Sequence, residues 1–153
     1  MKGLLVLLAA AVSASALAVV PAAGGIGGSD SASAVQTLTV RSSRYGRILF
    51  DGRGRVLYAF TRERRGGPSR CYGACAAAWP VYFSKRTGVR AGAGVKKSMI
   101  GTIRRRDGRR QYTYNGWPLY YYAHEGPGEV KCQNVDEFGG LWLVVRPGGT
   151  LVR

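Results

Sequence analysis

The feature that most constrains the fold of this chain is an internal repeat with a spacing of about 62 residues. Shifting the sequence by 62 residues places the aromatic segment 57–63 on the aromatic segment 119–125, and Gly54 on Gly116. With one-residue gaps in the loops, further residues coincide: Cys71 with Cys132, Trp79 with Trp142, and Val81 with Val144. A turn residue, an aromatic strand, an acid, a Cys and a Trp recur in one order, which indicates a duplication. We therefore expect repeat one at about residues 45–83 and repeat two at about residues 101–147, with their aromatic faces buried against each other.

Within each repeat, short β-branched and aromatic runs alternate with turn residues, a pattern typical of strands. In repeat two, residues 103–106 and 109–114 flank Asp107-Gly108, a pair that suits tight turns with positive φ. Asn115-Gly116 repeats this signal before the aromatic run 117–122. The pattern predicts a mainly β fold: a single compact domain of two tandem pseudosymmetric β-meander repeats, with at most one short helix near Cys71–Trp79.

The N-terminus has the composition of a secretory signal. Lys2 precedes an uncharged run rich in Leu, Ala and Val, and small residues that suit cleavage after Ala18 or Ala22 follow it. We expect a signal peptide at residues 1–22, a flexible linker at 23–34 and a β-rich domain at 35–153, with no transmembrane span after cleavage. The alternative is an uncleaved anchor, since the run approaches the roughly 20 apolar residues that span a bilayer. The domain is expected outside the cytoplasm, secreted or associated with the cell envelope.

The chain is strongly basic, with 23 Lys and Arg residues against eight Asp and Glu residues. Signal removal takes only Lys2, so we expect the mature chain to keep a formal charge of +14. Because Arg pairs bidentately with carboxylate and phosphate groups, we expect contact with an anionic envelope polymer or surface, and no specific nucleic acid partner. The alternative is that scattered surface Arg serves solubility alone. The candidate anion-binding residues flank one predicted turn: Arg104, Arg105, Arg106, Arg109 and Arg110.

Three motifs carry a resemblance to a known family. They are the segment 58–63, the Cys-Tyr-Gly-Ala-Cys-Ala-Ala-Ala-Trp-Pro run at 71–80, and the Tyr-Asn-Gly-Trp-Pro-Leu-Tyr-Tyr-Tyr run at 114–122. From residue 45 to residue 147 the chain resembles bacterial secreted-repeat proteins, predicted lipoproteins with a Tyr-x-aromatic-x-x-Asp motif and no established activity. Here Glu replaces the usual Asp, and no Cys precedes Cys71, so a soluble or wall-associated member is expected. The residues that match the family motif are Tyr58, Phe60, Glu63, Tyr120, Tyr122, Glu125, Trp79 and Trp142.

No catalytic set of residues stands out in the sequence. The only histidine is His124, and its neighbour Glu125 faces the opposite side of a strand, so the two do not easily form an acid–base pair. Glu63 and Glu125 could meet across the pseudosymmetry axis as glycosidase carboxylates do, but a carboxylate that accepts turn N–H groups is the simpler interpretation. One His and three Cys suit a copper or zinc site poorly. We expect no enzyme activity, no metal and no cofactor.

The three cysteines leave one thiol unpaired within a single chain. Cys71 and Cys75 stand four residues apart, and one helical turn or tight loop brings such positions to about 6 Å, within reach of a disulfide. We predict a Cys71–Cys75 disulfide with Cys132 reduced and largely buried. The alternative pair, Cys75 with Cys132, would join the two repeats.

The sequence leaves two functional hypotheses open. The first is a noncatalytic extracytoplasmic module, expected to be monomeric, that contacts an anionic envelope component through an Arg-rich surface. The alternative is a redox or electron-transfer accessory protein that uses Cys71, Cys75 and the tyrosines. A smaller question concerns four aromatic residues that either pack in the core or form an exposed platform for sugars or bases: Tyr112, Tyr114, Trp117 and Tyr121.

Overall fold

The computed structural model describes residues 36–83 and 88–153, so the expected signal peptide and linker lie outside the described residues. The strands of the described part are β1 (Gln36–Ser43), β2 (Gly46–Asp51), β3 (Tyr58–Phe60), β4 (Val89–Ala91), β5 (Ile100–Arg104), β6 (Arg110–Tyr114), β7 (Trp117–Pro118), β8 (Val135–Glu137) and β9 (Gly140–Val144). The helices of this part are α1 (Ala74–Ala78) and a 3-10 turn (Lys97–Met99). In the same ranges, no helix has the length and apolar character needed to cross a bilayer.

The strands form three small sheets, in the orders β2-β1-β4, β5-β6-β7 and β3-β9-β8. All neighbouring strands pair antiparallel except β1 and β4, which are parallel. The predicted mainly β fold with one short α-helix is therefore confirmed, and β5, β6 and β7 form the meander expected in repeat two.

The turn between β6 and β7 shows why this meander was readable from the sequence. Asn115 and Gly116 both have positive φ, at 49° and 79°. A two-residue turn of this kind matches the right-handed twist of the flanking strands, and few residues other than Asn and Gly adopt it without strain. The Asp107-Gly108 turn is wider than two residues, because the Arg105 N–H donates to the Arg109 carbonyl at 2.9 Å.

The two repeats exchange strands. Val144 at the end of repeat two pairs with Tyr58 of repeat one, and Val81 at the end of repeat one pairs with Tyr120 of repeat two. Tyr58 and Tyr120 also face each other, and each donates its backbone N–H to the carbonyl of the other at 2.9 Å. Since equivalent residues lie opposite each other in this antiparallel pair, a pseudo-twofold axis passes between them.

The large buried side chains fill two hydrophobic clusters, and both repeats contribute residues to each cluster. The first cluster contains the aromatic motif residues and all three cysteines. The second contains aliphatic residues of both repeats together with Tyr82, Tyr112 and Tyr114. Because each cluster draws on both repeats, neither repeat has a complete core of its own.

Candidate functional site

The family-motif acids bind the tyrosines of the opposite repeat. The Tyr120 hydroxyl donates to Oε1 of Glu63 at 2.6 Å, and the Tyr58 hydroxyl donates to Oε1 of Glu125 at 2.8 Å. All four side chains are buried. The exchange between repeats produces this arrangement, because it places the central tyrosine of each repeat against the Cys-containing loop of the other.

Each acid also holds the loop that follows it in sequence. Oε1 of Glu63 accepts the backbone N–H of Arg70 at 2.7 Å, and Oε1 of Glu125 accepts the backbone N–H of Lys131. In both cases the carboxylate accepts a backbone N–H of the following loop. Burial raises the pKa of both carboxyl groups. In Glu63 the second oxygen, Oε2, is buried without a hydrogen-bond partner.

The two tyrosines that bind the acids are neutral hydrogen-bond donors. Burial, and the neighbouring carboxylate in each case, raise the pKa values of the Tyr58 and Tyr120 hydroxyls well above their usual range. The two tyrosines therefore stay neutral and donate. The arrangement fastens two loops to the core through Oε1 of each carboxylate.

His124 is exposed and lies edge-on to the Tyr122 ring, with centroids 5.5 Å apart. The hydrogen bonds of the neighbouring Glu125 side chain go to Tyr58 and to the Lys131 backbone, so His124 is not its partner. Among the residues that the structure describes, no three or more His, Cys, Asp and Glu side chains gather where they could hold a metal ion.

The predicted Cys71–Cys75 disulfide is confirmed, and Cys132 is a free, buried thiol. Cys71 is fully buried and Cys75 is 7% exposed, so a reductant has little access to the bond. Burial raises the pKa of the Cys132 thiol to about 11, which keeps it protonated and unreactive near neutral pH. The setting is that of a structural disulfide before Trp79, and it does not favour the redox hypothesis.

Two of the four aromatic residues considered for an exposed platform are core residues. Tyr112 and Tyr114 are buried, and both belong to the second cluster. Trp117 and Tyr121 are half-buried against that cluster. The Tyr121 hydroxyl donates to Asp51 at 2.9 Å, so its polar end is also occupied.

One of the five candidate anion-binding arginines is not on the surface. Arg105 is 2% exposed, and its guanidinium donates to Ser69 Oγ at 2.6 Å, Gln111 Oε1 at 2.8 Å and the Cys71 carbonyl at 2.7 Å. It also pairs with Asp107 at 3.3 Å. Including Arg105 among the exposed candidates was therefore wrong: burial without acceptors would be costly, but here protein atoms satisfy the donors.

Sequence reasoning missed these acceptors, because Ser69 lies 36 residues from Arg105 and no local pattern marks it. The Ser69 hydroxyl also lies 2.7 Å from the Tyr120 hydroxyl. Arg105 is thereby connected through Ser69 and Tyr120 to Glu63, so the buried cation extends the tyrosine–acid network of the motif.

The remaining four candidates are exposed around the β5–β6 turn. Arg109 pairs with Asp107 at 2.7 Å, and its guanidinium lies over the Phe83 ring at 5.3 Å. Arg106 lies over the Tyr72 ring at 4.2 Å. We call the exposed set the arginine face: Arg104, Arg106, Arg109 and Arg110.

A family model described as a secreted repeat of unknown function matches the chain twice, at residues 39–82 and at residues 101–146. Together the two matches cover more than half of the chain. They coincide closely with the two repeats found in the sequence. No curated protein and no solved structure matches the chain.

Proposed function

Since the chain belongs to the family of secreted repeats of unknown function, we propose that it is a noncatalytic extracytoplasmic module that contacts an anionic component of the cell envelope. The contact surface in this proposal is the arginine face. The observation that carries it is that Arg104, Arg106 and Arg110 are exposed without a carboxylate partner in the described part of the chain.

The charge of the described surface is almost entirely uncompensated. Residues 36–83 and 88–153 contain 20 Lys and Arg residues but seven Asp and Glu residues. In these ranges the ion pairs are those of Arg105 and Arg109 with Asp107 and of Lys131 with Glu129. Three of the acids, Asp51, Glu63 and Glu125, are buried, which removes them from the surface.

The arginine face is held in place by contacts within its turn and with the core. Arg105, in the middle of the run, is anchored in the core. The Asp107 carboxylate accepts a hydrogen bond from the Arg109 guanidinium. This contact, and to a smaller extent Arg105, holds the pKa of the Asp107 carboxyl well below its usual range. The Arg106 N–H donates to the Tyr72 hydroxyl at 3.2 Å. A pre-ordered turn loses less conformational entropy on binding than a mobile one, which favours affinity.

The noncatalytic part of the proposal rests on how the ionisable groups are used. The buried acids accept hydrogen bonds from tyrosines and loop N–H groups, and His124 contacts an aromatic ring. A nucleophile, a base and an orienting group in hydrogen-bond sequence are needed for most hydrolytic chemistry, and none of these contacts supplies that sequence.

The test measures binding of the domain to a fluorescent polyphosphate chain by anisotropy at about 0.1 M and about 1 M NaCl, where the Debye length falls from about 10 Å to about 3 Å. We expect binding at the lower salt and a steep loss at the higher salt, because binding releases condensed counterions. The triple variant Arg104→Gln, Arg106→Gln, Arg110→Gln should bind less and show a weaker salt dependence.

A matched control removes the same charge elsewhere. Arg53, Arg90 and Lys97 are exposed and lie outside the arginine face, so their replacement by Gln changes the net charge equally. Equal losses in the two triple variants would show that net charge alone drives binding and would overturn the assigned surface. Absence of wild-type binding at low salt would overturn the proposed function itself.

A further inference from the structure

The registers of the two hairpins show which residue of repeat one is the counterpart of the buried arginine. Leu49 and Tyr112 occupy equivalent positions. The Leu49 carbonyl accepts the N–H of Leu57, which precedes Tyr58, at 3.1 Å, and the Tyr112 carbonyl accepts the N–H of Leu119, which precedes Tyr120, at 3.0 Å. Their partners across the hairpin are Val40 and Thr102. Ser43 lies three residues after Val40, and Arg105 lies three residues after Thr102. Ser43 is therefore the counterpart of Arg105.

A short side chain at this position leaves space in repeat one. Ser43 Oγ stays within its own turn, where it donates to the Gly46 carbonyl at 2.8 Å and accepts the Tyr45 N–H at 3.0 Å. A cleft of about 470 Å³ lies between residues 41–44 of the β1–β2 hairpin and residues 128–131. Ser43, the counterpart of Arg105, and Val130, the counterpart of Ser69, both line this cleft.

The two side-chain acceptors that hold Arg105 in repeat two have apolar counterparts in repeat one. Val130 takes the place of Ser69 when the Cys-containing loops are superposed. Ile48 takes the place of Gln111, since Ile48 faces Arg41 across one hairpin as Gln111 faces Ile103 across the other. A guanidinium at the position of Arg105 would therefore lack both of these side-chain acceptors in repeat one.

Cationic donors line the cleft instead. The Arg41 guanidinium lies 5.9 Å from the Phe50 ring centroid and has no hydrogen-bond or carboxylate partner in the described part of the chain. The Arg44 guanidinium donates one N–H to the Val130 carbonyl at 2.9 Å and lies over the ring of Tyr45. Its remaining N–H groups have no acceptor in the described residues.

The one carboxylate of the cleft is already occupied. Glu129 accepts the Gly126 N–H and the Lys131 ammonium, each at 2.7 Å, and these contacts lower its pKa. The lining residues Arg41, Arg44, Lys131 and Glu129 therefore have a net formal charge of +2.

We propose that this cleft binds a phosphate group carried on a small polyol or sugar unit. Two guanidinium forks and an ammonium offer several charge-assisted donors, which suits a phosphate with its many acceptor sites. The volume lies within the range of about 300–1,000 Å³ typical of small-ligand pockets and exceeds the needs of a bare ion. The inference rests on the proposed function, and it names the repeating unit of the anionic component.

The test titrates the domain with sn-glycerol 3-phosphate, glycerol and inorganic phosphate while amide NMR shifts are recorded. The expected result is saturable shifts at Ser42, Ser43 and Lys131 with glycerol 3-phosphate, weaker binding of inorganic phosphate, and no shifts with glycerol. Arg41→Gln with Arg44→Gln should weaken binding about tenfold or more, because charge-assisted hydrogen bonds are lost. Arg90→Gln with Lys97→Gln removes the same charge elsewhere and should leave the affinity within about twofold.

A variant with unchanged net charge tests whether binding depends on the open volume of the cleft. Ser43→Leu should fill the cleft and abolish the shifts while the net charge stays the same, and its circular dichroism spectrum should show that it is folded. Wild-type affinity in this variant or in the Arg41/Arg44 variant would overturn the cleft assignment. Equal affinity for inorganic phosphate and glycerol 3-phosphate would overturn the polyol or sugar part.

The polyphosphate measurement on the same proteins distinguishes the two proposals. Polymer binding that needs the arginine face, together with no cleft shifts, would leave the proposed function standing and remove the cleft site. Cleft shifts together with no polymer binding at low salt would remove the proposed function and leave a site for a free phosphate ester.

Discussion

The indole rings of Trp79 and Trp142 stack in parallel, with centroids 3.9 Å apart and planes inclined by 2°. Around them the contacts repeat: Tyr58 meets Trp79 edge-on at 5.3 Å, and Tyr120 meets Trp142 edge-on at 5.2 Å. Phe60 extends the stack beyond Trp142 at 4.2 Å. The equivalent tryptophans of the two repeats therefore meet at the pseudo-twofold axis and join the repeats into one core.

Replacing either tryptophan of this stack should strongly destabilise the whole domain. Trp79→Ala or Trp142→Ala removes a fully buried ring, and we expect a loss of about 3–5 kcal/mol in the free energy of unfolding. Urea unfolding followed by circular dichroism measures it. Trp117→Ala is the control, because Trp117 is half-buried; an equal loss there would contradict the central role of the stack.

The tyrosine–acid hydrogen bonds predict unequal costs at two equivalent positions. Tyr58→Phe and Tyr120→Phe each leave a buried carboxylate with one donor fewer, which should cost about 1–3 kcal/mol. Tyr120→Phe should cost more, because the second contact of the Tyr120 hydroxyl, with Ser69 Oγ at 2.7 Å, is shorter than that of the Tyr58 hydroxyl, which accepts the Cys132 N–H at 3.3 Å. Denaturant unfolding of both variants compares them. A larger loss in Tyr58→Phe would show that the Ser69 connection adds nothing.

Glu63 and Glu125 should make the domain less stable as pH rises above their ordinary pKa. Burial raises both values above 4.5, so in this window the native state binds protons that the unfolded chain has released. The free energy of unfolding contributed by these groups is present below the ordinary pKa and is lost as pH rises through the raised pKa. Glu63→Gln should therefore reduce the decrease in the free energy of unfolding with rising pH, as measured by urea unfolding.

Glu129→Gln serves as the control for the pH experiment. The Gly126 N–H and Lys131 lower the pKa of Glu129, so its stabilisation is present above 4.5 and is lost as pH falls through the lowered pKa. Above pH 4.5, the free energy of unfolding of this variant should decrease with pH as it does in the wild type. Parallel curves for Glu63→Gln and the wild type would contradict the assignment to Glu63.

Arg105 should matter for stability, whereas its neighbour Arg104 should not. Arg105→Gln removes the donors that satisfy Ser69, Gln111 and the Cys71 carbonyl, and we expect a loss of at least about 3 kcal/mol. Arg104→Gln changes an exposed side chain and should stay within about 0.5 kcal/mol of the wild type. Thermal and urea unfolding of both variants tests whether the burial of Arg105 explains the difference in their destabilisation.

The cysteines should divide into one inert thiol and one local cross-link. Native protein at mildly alkaline pH should take up no iodoacetamide at Cys132, whose pKa is raised to about 11, and should take up one per chain after denaturation, as measured by intact mass. Replacing Cys71 and Cys75 by Ser should cost about 2 kcal/mol, since the loop is short. Rapid native alkylation of Cys132 would contradict its burial.

Several features of this protein were determined by local sequence and were therefore readable. The duplication predicted two equivalent aromatic segments, of which the first forms β3 and the second has only Trp117–Pro118 in a strand, with Tyr120 in isolated bridges. Asn115-Gly116 predicted a tight turn, because few other residues accept positive φ there. The spacing of Cys71 and Cys75 predicted their disulfide, since the distance between such close positions depends little on the rest of the chain.

The tertiary structure alone decided which partner each of these residues meets. The repeat places Tyr58 and Tyr120 at equivalent positions, but strand exchange across the pseudo-twofold axis gives each of them the acid of the other repeat. Among consecutive arginines, Arg105 is buried because acceptors distant in sequence surround it. Strand periodicity and turn chemistry act over a few residues, whereas burial of a charge depends on acceptors that only the folded chain brings together.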